Sequence, residues 1–370
     1  MAEQLDKHGL LDSLYTTYAY HKNTFLRRFV KRIDQEDIPL KRIHTNPLLA
    51  LPMKLLPAKV HMWNNYFDKW VANQVKYGEA GAFIGWSGMS LHTIRAARKK
   101  RMATVLERGS THIVHQNAVL REEYARFGID FSVHPEVIKK ELQEYEEADY
   151  IMVPSDFVRN TFIEKGFPSQ KIIVNPFGAA DIFEPAVKIT HPAKRKFTIL
   201  YLGTLSIRKG LPYLFEALNG FSLSPDDFDV WFIGSIEDAL KPLIEKHKRD
   251  NWKFMGHINH YDLPHYLGQC DVGVQVSLEE GLSMVIPQMM SCGVPVIITP
   301  NTGGENILRN GESGFVVPVR SPEAIAERIT VLFNDRKKLD AMKLAARKAV
   351  SGGYTWDDYG NRYAAFLKTL

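Results

Sequence analysis

Residues 277–293 read SLEEGLSMVIPQMMSCG, and the order of residue types in this stretch sets the architecture around it. The apolar run Val272–Val276 before it is expected as a strand. A polar loop then carries Glu279 and Glu280, and Gly281 permits a tight turn. Ser283 suits an N-cap, so a helix is expected from Met284 to Met290. Pro287 falls in the first turn, whose amides have no intrahelical acceptors, and Gly293 suits the residue after the helix. A strand that passes through a short loop into a helix start gathers free amides and the positive end of a helix dipole. Such a place attracts phosphate.

The same alternation extends in both directions. Ahead of it, Phe197–Gly203 reads as a strand entering a turn, Leu211–Leu218 as a helix, and Asp229–Ile233 and Lys253–Met255 as strands; Val294–Ile298 follows it as another. Further upstream, Leu10–Thr17, Ala82–Trp86, Ala103–Leu106 and Tyr150–Pro154 read as strands, and His61–Lys76, Met89–Lys100 and Glu136–Glu147 as helices. Short strands that are apolar on both sides belong in a parallel sheet covered by helices, which is α/β architecture. The aperiodic stretch Gly178–Lys196, rich in Pro, Ala and charge, divides the chain. Two doubly wound, Rossmann-like domains are expected, over 1–180 and 195–350, facing each other across a cleft. The aromatic-rich tail 351–370 is expected as a helix packing back toward the first domain.

Composition excludes several classes. The 370 residues are 45% hydrophobic and 24% charged, as in a soluble globular chain. No apolar run approaches the ~18 residues of a membrane span. Charges stand where a signal peptide needs its apolar core, and the two cysteines make no disulfide framework, so a cytoplasmic setting is expected. Residues 1–101 hold 17 Lys and Arg against 8 Asp and Glu, including Arg27-Arg28, Lys31-Arg32, Lys41-Arg42 and Arg98–Arg101. This surplus reads either as a solvated face or as contact with anionic lipid at the inner membrane face. Nucleic acid is not expected as a partner, because no recognition module accompanies the charge.

Glu280 and Gln288, flanking GLSMVIP, resemble the E-x7-E motif of retaining glycosyltransferases of family 4, the glycosyl transferases group 1, which have the GT-B fold. YLGTLSIRKGLPYLFEAL (201–218) is similar to that family's first strand–turn–helix of the nucleotide-binding domain, and residues 252–281 and 293–318 resemble the segments around the motif. The resemblance implies that Lys209 contacts the donor diphosphate, that Glu280 touches the donor sugar near the reacting carbon and that Gln288 holds the ribose. It also implies that Gly203 forms the turn before the diphosphate loop, and that Gly281, Leu282, Ser283 and Met284 supply backbone against phosphate and sugar. No metal and no cofactor are required, since a departing phosphate oxygen can take the acceptor's proton in the front-face mechanism proposed for this class. The expected partners are a UDP-, GDP- or ADP-sugar and a glycan or lipid-linked acceptor.

Four departures bear on these roles. Thr204 stands where the family commonly has arginine, which makes Arg208 the candidate for the missing charge. Gln288 replaces a carboxylate, so ribose binding should be weakened or altered. A histidine at the end of a first-domain strand is replaced by Glu107-Arg108, leaving His112 as its candidate substitute. The chain opens in the helix that follows the family's first strand and Gly-rich loop, so an unfilled position is expected in the first sheet. Two alternatives stay open: a catalytically silent nucleotide-sugar-binding protein, and a phosphorylase or sucrose-synthase-like enzyme on the same fold.

Overall fold

A computed structural model describes residues 1–17, 38–49, 59–75, 80–183, 195–221 and 223–370. The pairs Arg27-Arg28 and Lys31-Arg32, and residues 184–194 of the expected linker, lie outside the described residues.

The first lobe contains strands β1 (Leu14–Thr16), β2 (Ile43–Thr45), β3 (Ala82–Trp86), β4 (Ala103–Glu107), β5 (Tyr150–Val153) and β6 (Ile172–Val174). The last four form a parallel sheet in the order β3-β4-β5-β6. β1 and β2 form a separate parallel pair. Among the described residues β1 pairs only with β2, and β3 only with β4, so no described strand fills the position of a central first strand. Among the described residues the four-stranded sheet runs in chain order from β3 to β6.

The second lobe is doubly wound. Strands β7 (Phe197–Leu202), β8 (Phe228–Ile233), β9 (Trp252–Gly256), β10 (Val272–Gln275), β11 (Val296–Ile298) and β12 (Gly314–Val316) pair in the order β12-β11-β10-β7-β8-β9, all parallel. Every residue of β7 is buried, because helices cover both faces of this central strand. Phe197, Ile199 and Tyr201 enter one core cluster and Leu200 and Leu202 the other, as the two-residue period of a strand requires. Strand order reverses between β7 and β10, and ligands of open α/β sheets bind outside the carboxyl ends of the strands at such a point.

The helix Trp356–Leu367 crosses back to the first lobe. Thr355 and Asp358 form a capping box at its start. Tyr359 and Tyr363 pack with Leu5, Leu11, Val105 and Met152 of the first lobe. Arg362 spends two guanidinium nitrogens there, on Asn175 Oδ1 at 2.8 Å and Pro176 O at 2.7 Å, and its third on Gly353 O, just before the helix, at 2.6 Å. In return, Leu120 and Tyr124 of the first lobe enter the main core cluster of the second.

Candidate active site

Two loops leave the switch point. One follows β7 and carries Gly203–Gly210; the other follows β10 and carries Val276–Met284. They are locked together by backbone contacts, with Leu278 N–H donating to Arg208 O at 2.9 Å. Gly210 has φ +74° and starts the helix Leu211–Asn219; a Cβ there would lie 2.0 Å from Val276 O. Gly203 has φ +128°, a conformation side chains rarely adopt, and turns the chain out of β7.

These loops bring the Lys209 ammonium into direct contact with the Glu280 carboxylate. Both side chains are largely enclosed, 21% and 9% exposed. The Lys209 pKa is lowered, first by burial and then by the Arg208 charge, with Glu279 acting the other way. The contact with Glu280 favours the protonated amine. Gln288 is on the helix Val285–Ser291, with little exposure.

The helix start differs from the expectation. Met284, not Ser283, is the N-cap, and no side chain caps it. Ser283 N–H donates to Thr302 O at 2.9 Å, and Ser283 O accepts from Ile286 N–H at 3.0 Å. Two of the amides expected to be free are therefore engaged. Met284 is instead 38% exposed, while Leu282 is buried. Gly281 is needed for close approach rather than for a left-handed turn. A Cβ there would meet Gly109 O of the first lobe at 2.0 Å and Pro154 at 3.0 Å. Its own carbonyl accepts from Ser155 Oγ at 2.6 Å, again across the lobes.

Arg208 points at its neighbour in the other loop. Its Nε donates to Glu279 O at 2.9 Å, and Nη2 pairs with Glu279 Oε2 at 3.0 Å. His112 is not brought to Lys209 and Glu280. Its Nδ1 accepts from Val114 N–H at 3.3 Å at the start of the helix Ile113–Ala125. Its ring is walled by Tyr145, Phe162 and Phe167. Burial, with Arg108 next, lowers its pKa to about 4, so it is a neutral core residue at ordinary pH.

The residue that sequence reasoning passed over is Glu279. It is fully buried and accepts from Ser110 Oγ (2.6 Å), Thr111 N–H (3.1 Å), Thr111 Oγ1 (2.6 Å) and Gln116 Nε2 (3.2 Å), all on the first lobe. Burial would raise its pKa, but Arg208, Ser110 and Thr111 outweigh that and hold it below the usual carboxylate range. The one available signal was a second carboxylate beside Glu280 in a loop otherwise framed by Leu278 and Leu282.

The fold is the GT-B fold of glycosyltransferases. Residues 183–349 match the family model of the glycosyl transferases group 1. The chain is 25% identical over 309 residues to O-antigen chain mannosyltransferase B of Escherichia coli, covering 74% of this chain and 80% of that one. It is 25% identical over 240 residues to the GDP-mannose-dependent alpha-(1-6)-phosphatidylinositol monomannoside mannosyltransferase of Mycobacterium tuberculosis, covering 60% of this chain and 62% of that protein's length. Among solved structures it is similar to sucrose-phosphate synthase of Thermosynechococcus elongatus, with TM-score 0.67, 17% identity and coverage of 84% and 79%. It is also similar to HepE of Anabaena in complex with UDP and glucose, with TM-score 0.66, 17% identity and coverage of 89% and 86%. No helix among the described residues is long and apolar enough to cross a membrane.

Proposed function

We propose that the chain transfers a hexosyl group from a nucleoside-diphosphate sugar to a glycan or lipid-linked acceptor, with retention at the anomeric carbon and without a metal ion. The observation that carries this reading is the Lys209–Glu280 contact at the switch point of the second lobe. A diphosphate entering there meets Lys209 and the loop after β7, and the sugar attached to it meets Glu280. Gln288, buried on the helix that follows this loop, would hold the ribose through its amide.

In the reaction the bond from the anomeric carbon to the diphosphate oxygen breaks, and negative charge builds on that oxygen. Lys209 stabilises the charge in an enclosed site, where a fixed cation counts for more than in water. Glu280 orients the sugar and favours its positive character. The acceptor hydroxyl attacks the anomeric carbon on the same face, and its proton passes to the departing phosphate oxygen. Side-chain cations thus perform the charge compensation that a metal supplies elsewhere.

GDP-mannose leads the donor panel because two of the similar proteins are mannosyltransferases, one of them GDP-mannose-dependent. The decisive assay follows nucleotide release from GDP-mannose, UDP-glucose and ADP-glucose, with and without EDTA, and reads the anomer of the product by NMR. Turnover of one donor, undiminished by EDTA and giving the retained anomer, is expected. Binding without turnover across a broad acceptor panel would favour a silent nucleotide-sugar binder. Loss of activity in EDTA, or an inverted product, would remove the corresponding part of the proposal.

The basic run Arg98–Arg101 spans the last turn of the helix Leu91–Lys99 and the turn that leads to β4. That is the end of the first sheet away from the cleft.

A further inference from the structure

Glu279 and Glu280 are adjacent, yet their carboxylates serve opposite sides of the cleft. Glu280 meets Lys209 of its own lobe. Glu279 takes four hydrogen bonds from Ser110, Thr111 and Gln116 of the other lobe, while holding Arg208 by both its carboxylate and its carbonyl. The first-lobe donors are themselves fixed. Arg108, 8% exposed, donates to Thr111 O at 3.0 Å and to Gln116 Oε1 at 2.8 Å, and pairs with Glu141 at 2.8 Å. Binding Gln116 by its oxygen leaves its amide nitrogen for Glu279.

The geometry points to Glu279 as a positioning residue that couples closure of the two lobes to the aim of Arg208 and Glu280 on the donor. This deepens the glycosyltransferase reading and rests on it. With the lobes together, the Glu279 carboxylate satisfies donors from both sides, and the loop carrying Glu280 is held in register. With the lobes apart, the carboxylate loses all four first-lobe donors, and only Arg208 remains to it. The Arg208 fork spends Nε and Nη2 on Glu279, so Nη1 is the nitrogen left to face a diphosphate. A carboxylate is required because every group facing it is a donor; an amide would turn an N–H₂ toward hydroxyls and an amide hydrogen.

The test uses the full chain with two variants, Glu279→Gln and the first-lobe double variant Ser110→Ala/Gln116→Ala. Small-angle X-ray scattering with and without GDP reads lobe separation, calorimetry reads GDP affinity, and nucleotide release from the active donor reads kcat and KM. Expected for Glu279→Gln are a larger radius of gyration with GDP present, weaker GDP binding, and a kcat lower by about 100-fold, the order of loss that a 1 Å misplacement produces. The double variant should shift in the same directions by less. Wild-type scattering and kcat in both variants would overturn the proposal. So would a kcat loss in Glu279→Gln with wild-type behaviour in the double variant, since Glu279 would then act through Arg208 alone. Should Glu279→Gln fail to fold, the double variant decides. If the wild-type chain turns over no donor, the glycosyltransferase reading fails, and scattering alone then supports or overturns the closure contact.

Discussion

The Lys209 ammonium and the Glu280 carboxylate, 71 residues apart in the sequence, meet where the loops after β7 and β10 converge. Each is the nearest counter-charge of the other, so a bound donor must divide them, the diphosphate drawing the lysine and the sugar hydroxyls the carboxylate. Lys209→Ala and Glu280→Ala should each lower turnover by about 10²–10³-fold, the scale of a lost transition-state contact. The double variant should lose little more than either single one, because the two residues act as a unit. Nucleotide-release kinetics on all three, with circular dichroism to show that each is folded, checks this.

Gly281 marks the closest approach of the two lobes. In Gly281→Ala the new Cβ would meet Gly109 O, a backbone atom that no rotamer change can move. The variant should lose about 1–3 kcal/mol of stability, as overpacked sites do, and most of its turnover. Gly352→Ala is the matched control, since a Cβ there meets nothing within 4 Å and its backbone is not left-handed. Thermal unfolding of both variants distinguishes the two sites.

Gln288→Glu restores the carboxylate of the family motif to a buried position. A carboxylate can accept from both ribose hydroxyls, whereas the amide offers one accepting oxygen. Tighter binding of the nucleoside diphosphate is expected, with little change in kcat. Calorimetric titration with GDP and UDP measures it; equal or weaker affinity would place Gln288 away from the ribose.

Glu107 closes β4 beneath the C-terminal helix, with Tyr359 Oη donating to it at 3.3 Å. Burial raises its pKa to about 7, against the hydroxyls of Tyr363 and Tyr359. The unfolded chain releases this proton near ~4.3. Between those values the folded state binds more protons than the unfolded one, so this residue's contribution to stability falls as pH rises from about 4.3 to about 7. Glu107→Gln should remove that slope and be more stable than wild type at pH 8, by up to about 3–4 kcal/mol. Urea unfolding at pH 5 and pH 8 for both proteins gives the comparison.

Arg362 fastens the C-terminal helix to residues 175–176 of the first lobe. Arg362→Ala leaves two carbonyls and the Asn175 side chain without this donor, and about 1.5–3 kcal/mol should be lost. Hydrogen exchange should rise across 356–367 before it rises in β7 or β10. Uniform exchange across the chain would mean that the helix is held by the packing of Tyr359 and Tyr363 alone.

Much of the architecture was legible in local pattern. Apolar runs located β3, β4, β5, β7, β8, β9, β10 and β11 to within a few residues, because side-chain period and turn chemistry act over short distances. β1 falls inside the longer run Leu10–Thr17, whereas β2, β6 and β12 were not read as strands. The helix after Gly281 was legible too, but its first residue was not. Tertiary contacts take the Ser283 amide to Thr302, and no capping motif encodes that.

By itself the sequence determined the α/β alternation and the two loops at the switch point, while its resemblance to a family motif singled out Lys209 and Glu280. All are written in stretches short enough for periodicity and motif spacing to be read directly. Only the tertiary structure decided that Arg208 turns to Glu279, that Gly281 is small because another lobe lies against it, and that His112 is enclosed by aromatic rings. Glu279 and Ser110 are 169 residues apart. Which of two neighbouring carboxylates faces the lysine and which the opposite lobe is settled by how the lobes pack, because burying a charge is tolerated only where donors from distant parts of the chain converge on it.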